Sequence, residues 1–409
     1  MSMSEPFIPY ARQHLDEDDV AAVVGVLRSA TIARGPGAAA FAHALREIVH
    51  APHAITCASG TAGLHLACLA AGIGPGDEVI VPAITFVASA NCAAYCGATP
   101  VFADVDRETI CIDPADVTRK VTARTRAIIP VHFAGQSCDL VALQAIARDA
   151  ERQFGHKVWV IEDACHVLGS TYRGEPIGSC RWSDMAVFSF HPVKHITTGE
   201  GGAITAQDAG VTRRLEQLRG HGITKEGSEF QHTGDGPWYH EQQSLGYNYF
   251  LTDIQAALGM AQLQKLPRFA QRRRVIVDRY QEAFAGLPHV TRSVEREPGA
   301  TNYHLYVLQI DFSALGTTRA ALVADLATRG VGAQVHYLPV YRHPYHERWG
   351  ADSVDFPNAE RYYERCLTIP LFPAMTDSDV ERVIAAVRST VERSMESAYP
   401  QSAKASVNP

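Results

Sequence analysis

The first half of this chain alternates between two kinds of apolar pattern. Short continuous runs bounded by Gly, Pro or polar clusters suit buried strands, and apolar residues three and four apart suit helices. The continuous runs predict strands at 53–57, 78–82, 99–104, 125–131, 157–162, 185–190 and 202–205. Helical spacing predicts 15–27, 38–49, a stretch following Gly63, 86–96 and 140–152. The first of these helices opens on crowded acids, which the positive end of the helix dipole favours. Strands alternating with helices imply an α/β fold around a mainly parallel central sheet covered on both faces.

Residues 225–244, KEGSEFQHTGDGPWYHEQQS, break this rhythm. A polar, aromatic-rich loop of that length reads as a lid or a partner-facing arm. A helix from 252 to 266 then runs past Pro267 as a long basic helix to 285. It reads as the bridge to a smaller C-terminal α/β domain, with a strand at 304–310 and helices at 319–329, 360–366 and 377–396. The expected division is a large domain over 1–265, with its N-terminal helical segment, and a small domain over 266–396. A frayed polar tail follows over 397–409.

Composition narrows the function classes. The 409 residues are 46% hydrophobic and 20% charged, with a net charge of -7, as in an ordinary soluble globular protein. No basic block is present to repay counterion release, so nucleic acid is excluded as a partner. The apolar runs are too short and interrupted to span a bilayer, which excludes a membrane protein. The N-terminal stretch MSMSEPFIPY has no basic region followed by an apolar one, so no secretory signal is expected. The nine cysteines form no CxxC pair, and an odd count points to reduced thiols in a cytoplasm. Cys92 and Cys96 are spaced as a helical metal pair could be. No histidine lies near them in sequence, so they read as packing residues and no metal site is expected.

Candidate chemistry gathers at the ends of the predicted strands. Residues 185–202 read MAVFSFHPVKHITTGEGG, an apolar run closing on Lys194 and a glycine-rich turn. Burying an ammonium is costly, so a lysine between a buried strand and such a turn is placed as a nucleophile with a depressed pKa. Ser59-Gly60-Thr61 follows the first strand and opens a helix, where amide N–H groups and a hydroxyl can meet a phosphate. The strand ending at 162 delivers Asp163, with His166 three residues on. A buried carboxylate needs a cationic partner, and a protonated ring nitrogen would be one. Ser189 precedes Lys194 by five residues as a further phosphate ligand. Lysine, aspartate and phosphate-binding hydroxyls are the set that a pyridoxal phosphate enzyme needs.

At these residues the chain resembles the DegT/DnrJ/EryC1/StrS sugar aminotransferases, over about residues 6–395. The matching motifs are SGTAGLHLA from Ser59, PAITFVASAN from Pro82, PVHFAGQ from Pro130, EDACH from Glu162, FSFHPVKHITTGEGG from Phe188 and GYNYFLTDIQ from Gly246. The resemblance implies a fold-type I pyridoxal phosphate fold and a homodimer with shared active sites. Residue by residue, Lys194 would form the internal imine and act as acid and base. Asp163 would pair with the pyridine nitrogen, His166 would lie by the ring, and Phe86 would stack on its face. Gly60, Thr61 and Ser189 would hold the phosphate, and Asn248 would reach it from the neighbouring subunit. Trp238, Tyr239, His304, His336 and Tyr337 are the candidates for substrate contact.

Within the family the likeness is to the branch that aminates C4 of a UDP-linked 4-keto-6-deoxy-N-acetylhexosamine for pseudaminic acid. It rests on FIPYARQ from Phe7, Pro237-Trp238-Tyr239 with Gln243, and QVHYLPVY from Gln334. L-Glutamate would be the amino donor, with pyridoxamine phosphate as the intermediate cofactor form. GDP-perosamine and UDP-4-amino-arabinose types of aminotransferase are the alternatives, with a non-catalytic regulator that binds the cofactor. A dehydratase branch with histidine in place of the lysine is disfavoured by Lys194 itself. Three positions depart from the pattern: Phe250 where arginine is usual, His195 after the lysine, and Gly199 where alanine is frequent. Phe250 removes a charge near the cofactor phosphate.

Overall fold

The structure, a computed structural model, describes residues 6–398, with side chains to 395. Residues 1–5 of the N-terminal stretch, and the expected tail from 399 onward, lie outside the described residues.

The predicted strands assemble into one seven-stranded sheet. In spatial order it runs His53–Cys57, Gly202–Ala206, Met185–Ser189, Trp159–Asp163, Thr125–Ile128, Glu78–Pro82 and Thr99–Ala103. Gly202–Ala206 pairs antiparallel on both sides, with His53–Cys57 and with Met185–Ser189. The other six strands therefore all point one way, and their C-terminal ends share one edge of the sheet. The expected mainly parallel α/β architecture is present, with a single reversed strand. That strand follows Met185–Ser189 through an irregular turn with no helix in it, a connection that returns the chain antiparallel beside its predecessor.

Local chemistry sets the helix boundaries. Glu17–Leu27 begins at a reciprocal cap between Asp16 and Asp19. Gly60–Ala70 starts where the Ser59 hydroxyl accepts from the Ala62 N–H at 3.1 Å. The helix predicted at 86–96 is shorter, Ala88–Tyr95, which leaves Phe86 outside it. Two helices escaped the pattern reading: the short Pro114–Lys120, and Ala209–Arg219, whose stripe of Val211, Leu215 and Leu218 was overlooked. Residues 225–244 are largely irregular, with one short turn at Gly227–Glu229 and a two-residue pairing of Ile223–Thr224 with Glu241–Gln242.

Asp253–Ala283 is one continuous helix of 31 residues that accommodates Pro267, as the pattern reading has it. Beyond it, Tyr306–Ile310 lies between Val290–Thr291 and Cys366–Ile369 in a small antiparallel sheet. Cys366 belongs to that strand and not to the predicted helix, which ends at Arg365. The small sheet and the helices Arg319–Thr328 and Asp377–Ala398 enclose a second hydrophobic core with Ile276, Val277 and Tyr280 of the long helix. Ile8 is buried in that second core and pairs with Gly330 and Gly332. Ile8, which the expected division places in the large domain, thus packs in the second core, beside the segment that follows Arg319–Thr328.

Candidate functional site

A cavity of about 450 Å³ opens at the shared C-terminal edge of the parallel strands, the place where open α/β sheets hold ligands. Four strands or the turns after them feed it. Ser59, Gly60 and Thr61 come after His53–Cys57, Phe86 after Glu78–Pro82, Asp163 at the end of Trp159–Asp163, and Ser189 at the end of Met185–Ser189. Lys194 follows in a turn that is tied to itself. Lys194 N–H donates to the His191 carbonyl at 2.9 Å, and Thr197 Oγ1 donates to the Phe190 carbonyl at 3.0 Å. Gly199 takes a φ of +80° in this loop, so an alanine would be strained here.

Lys194 keeps some surface open to the cavity but is otherwise wrapped by protein. Burial holds its ammonium below the ordinary lysine range, against a smaller opposing pull from Cys165 and Asp163. The neighbouring Cys165 thiol is itself pushed well up by burial, so the carboxylate is the counter-charge that matters. Asp163 is buried, and two donors fix its oxygens: Ser89 Oγ at 2.7 Å from Oδ2 and the Cys165 N–H at 3.2 Å from Oδ1. Thr85 Oγ1 lies 2.8 Å from Ser89 Oγ, so a short hydroxyl relay braces the carboxylate.

Five histidines lie around the lysine. His166, His191, His304 and His336 line the cavity, and His195 is buried outside its lining. The His166 and His304 rings are 4.3 Å apart. Nδ1 of each is buried without a hydrogen-bond partner among the described residues. Burial, followed by the nearby charge of Lys194, pushes His166 well below its ordinary value, and His304 falls for the same leading reason. Burial brings His336 down to about 3. His195 Nε2 meets the Asn302 carbonyl at 3.2 Å, which ties the lysine turn to the segment entering the small domain. Tyr337 OH approaches His166 Nε2 at 3.4 Å.

The structure brings Gly60, Thr61, Phe86, Asp163, His166, Ser189, Lys194, His304, His336 and Tyr337 together around one cavity. Phe86 is 57% exposed, so it is a wall residue and not part of the core. Asn248 is exposed and lies outside this lining, and so are Trp238 and Tyr239. Trp238 is 72% exposed, while Tyr239 packs edge-on against Phe230 within its own loop. Tyr10, Thr85 and Glu200 line the cavity without having been singled out from sequence, and Ser89 was likewise missed. For Ser89 a signal existed: it stands three residues after Phe86 in the PAITFVASAN motif.

The donor set matches pyridoxal phosphate. Asp163 offers a fixed carboxylate for a protonated ring nitrogen, Lys194 an amine, and the start of Gly60–Ala70 a phosphate cradle. A Cβ added at Gly60 would stand 2.9 Å from Ser189 Cβ, so glycine is what lets that backbone approach the serine.

The family model of the DegT/DnrJ/EryC1/StrS aminotransferases matches residues 13–388. The spore coat polysaccharide biosynthesis protein SpsC of Bacillus subtilis is 41% identical over 388 residues, covering 94% of this chain and 97% of SpsC. Spr1654 of Streptococcus pneumoniae, assigned as a sugar aminotransferase, superposes in its PLP form with a TM-score of 0.86 at 31% identity. That match covers 95% of this chain and 99% of Spr1654, which is also solved in a PMP form. Helicobacter pylori PseC, an aminotransferase involved in the biosynthesis of pseudoaminic acid, gives a TM-score of 0.86 at 28% identity. There 95% of this chain and 100% of PseC are covered.

Proposed function

Because the chain belongs to the DegT/DnrJ/EryC1/StrS aminotransferase family, we propose that it moves the amino group of L-glutamate to C4 of a UDP-linked 4-keto-6-deoxy-N-acetylhexosamine, using pyridoxal phosphate. The observation that carries this reading is Lys194, a desolvated lysine with a lowered pKa that shares one cavity with a braced Asp163. A lysine with a lowered pKa is neutral in a larger fraction of molecules near neutral pH, which both nucleophilic attack and proton transfer require. A regulator that merely binds a cofactor has no use for that costly arrangement. The PseC likeness and the QVHYLPVY motif support the C4-keto sugar.

When bound, pyridoxal phosphate supplies an electron sink for the pair left on the donor carbon. The protein supplies everything else. Lys194 Nζ holds and moves the proton that leaves the donor Cα. Asp163, oriented by Ser89, would hold the proton on the ring nitrogen. Gly60, Thr61 and Ser189 would take the phosphate, Phe86 would cover one ring face, and His166 would lie beside the ring. His304, His336 and Tyr337 line the same cavity and would meet the sugar.

Replacing Lys194 with Ala should abolish glutamate-dependent turnover and the visible absorbance of the purified protein. Turnover that survives this substitution refutes the proposal. A panel of UDP-, GDP- and dTDP-linked 4-keto sugars, assayed with glutamate, decides the sugar nucleotide.

Two chains sharing their sites would account for Asn248, which is exposed and lies outside the cavity lining of its own chain. In that arrangement Asn248 and Lys194 of one site come from different subunits. Mixing inactive Lys194→Ala with weakened Asn248→Ala chains then creates hybrids with one intact site. At equal mixing, half of the dimers are hybrids, and activity should return to roughly one quarter of normal. No gain on mixing means that each site is built from one chain.

A further inference from the structure

A second cavity, of about 590 Å³, lies on the far side of the edge strand His53–Cys57 from the catalytic turn. Its wall is basic: Arg34, His43, Arg46, His53, Arg219 and Lys225 line it, with Glu216 as the one carboxylate among the lining residues. Arg46 is paired with Glu47. Arg34, Arg219 and Lys225 have no ion-pair partner among the described residues. Three unpaired cations in one concavity focus a positive potential, on a protein whose net charge is -7.

Phe250 holds two of these cations in place. The Arg34 guanidinium lies 4.0 Å from the centre of its ring and that of Arg219 lies 5.0 Å away. Cation–π attraction offsets part of the repulsion between the two arginines. Arg34 takes a φ of +60°, a conformation that costs a non-glycine residue energy. The next residue, Gly35, is fixed by its N–H to Asp253 Oδ2, so that carboxylate is already engaged by backbone. Arg219 donates through Nη1 to the Thr56 carbonyl at 2.7 Å, while its Nε is buried with no acceptor. A buried N–H without an acceptor is a cost that a bound anion would remove.

We propose that this groove is an anion site that takes a phosphoryl group, gripped by Arg34, Arg219 and Lys225 against the Phe250 wall. Guanidinium forks match phosphoryl oxygens in both geometry and charge. The groove itself carries the site and its nucleotide source, whereas the cofactor source rests on the proposed transaminase reading with shared sites. Two sources carry this chemistry. One is the diphosphate of a nucleotide. The other is the phosphate of a cofactor seated in a second copy of the chain, because Phe250 lies two residues from Asn248.

Calorimetric titrations of the holoenzyme with pyrophosphate and with UDP test the first source. Titrations of cofactor-free protein with pyridoxal phosphate and with pyridoxal, which lacks the phosphate, test the second. Each is run on the natural chain, Arg34→Ala, Lys225→Ala and the conservative Arg34→Lys, with circular dichroism to check that the variants fold. If the nucleotide is the source, pyrophosphate and UDP bind the holoenzyme, and Arg34→Ala and Lys225→Ala weaken them by about tenfold or more. If the cofactor is the source, the same two variants weaken pyridoxal phosphate by about tenfold and leave pyridoxal unchanged. In either case Arg34→Lys recovers part of the loss. If all the titrations of folded Arg34→Ala and Lys225→Ala stay within about twofold of the natural chain, the site does not exist.

Discussion

Ser89 shows how much of a cofactor site depends on a residue that never needs to touch the cofactor. Its hydroxyl donates to Asp163 Oδ2 at 2.7 Å and is itself braced by Thr85. A hydrogen bond to a charged acceptor contributes about 1.5–3 kcal/mol. Ser89→Ala should therefore weaken pyridoxal phosphate binding by about one to two powers of ten, read from absorbance titrations of cofactor-free protein. An unchanged dissociation constant would show that Asp163 is held well enough by its own turn. At this scale Lys194, Asp163 and Ser189 were legible because each combines a costly or polar side chain with the end of an apolar run. Ser89 was not, since a serine inside a small-residue helix usually does nothing but pack. The Phe250 departure also read differently from sequence. It looked like a lost charge, whereas two arginines distant in sequence lie over the ring.

Between elements, the tightest join is made by one carboxylate. Asp253, in the first turn of the long helix, accepts from the Gly35 and Gly37 N–H groups at 2.6 Å each and is 3% exposed. It thereby caps the start of Gly37–Val49, a helix that has no side-chain cap of its own. Gly37 is required there, because a Cβ would stand 2.6 Å from Asp253 Oδ1. Asp253→Ala leaves two partly buried donors without acceptors and should cost about 2–3 kcal/mol of stability. Urea unfolding of the cofactor-free protein measures this, and a loss well under about 1 kcal/mol would mean water replaces the carboxylate. The seven main strands were legible from apolar runs alone, but pairing direction was not: nothing in the run at 202–206 reports that it lies antiparallel to both neighbours. Cys366 was read as the end of a helix, and the strand Cys366–Ile369 was missed, because the chain passes from helix to strand there without a Gly or Pro to mark the change.

For the molecule as a whole, four buried histidines weaken the fold as pH falls. His166, His195, His304 and His336 all have native values below the ordinary 6.5, with burial as the leading cause in each. Lys194 adds to the depression of all four, and Arg273, buried with three backbone carbonyls as acceptors, adds to that of His195 and His304. A group that binds its proton more weakly in the native state favours unfolding once the unfolded chain starts to take protons. The stability is therefore complete above pH 6.5 and declines as pH falls below it, for His336 down to about 3. Each such histidine contributes a slope of at most about 1.4 kcal/mol per pH unit. Paired and hydrogen-bonded carboxylates also lose stability toward low pH, so the bare profile does not isolate the imidazoles. Comparison with His336→Gln does, because glutamine can keep a hydrogen bond to the Thr368 hydroxyl, which His336 Nδ1 meets at 2.9 Å, and cannot titrate. Urea unfolding of both cofactor-free proteins between about pH 5 and 8 should show the variant with the shallower decline below pH 6.5, by up to one proton. Parallel profiles would mean that His336 reaches water before the fold gives way. The wall of the cavity at His336 and Tyr337 would then be loose on the unfolding timescale, even though both line the cavity in the native state.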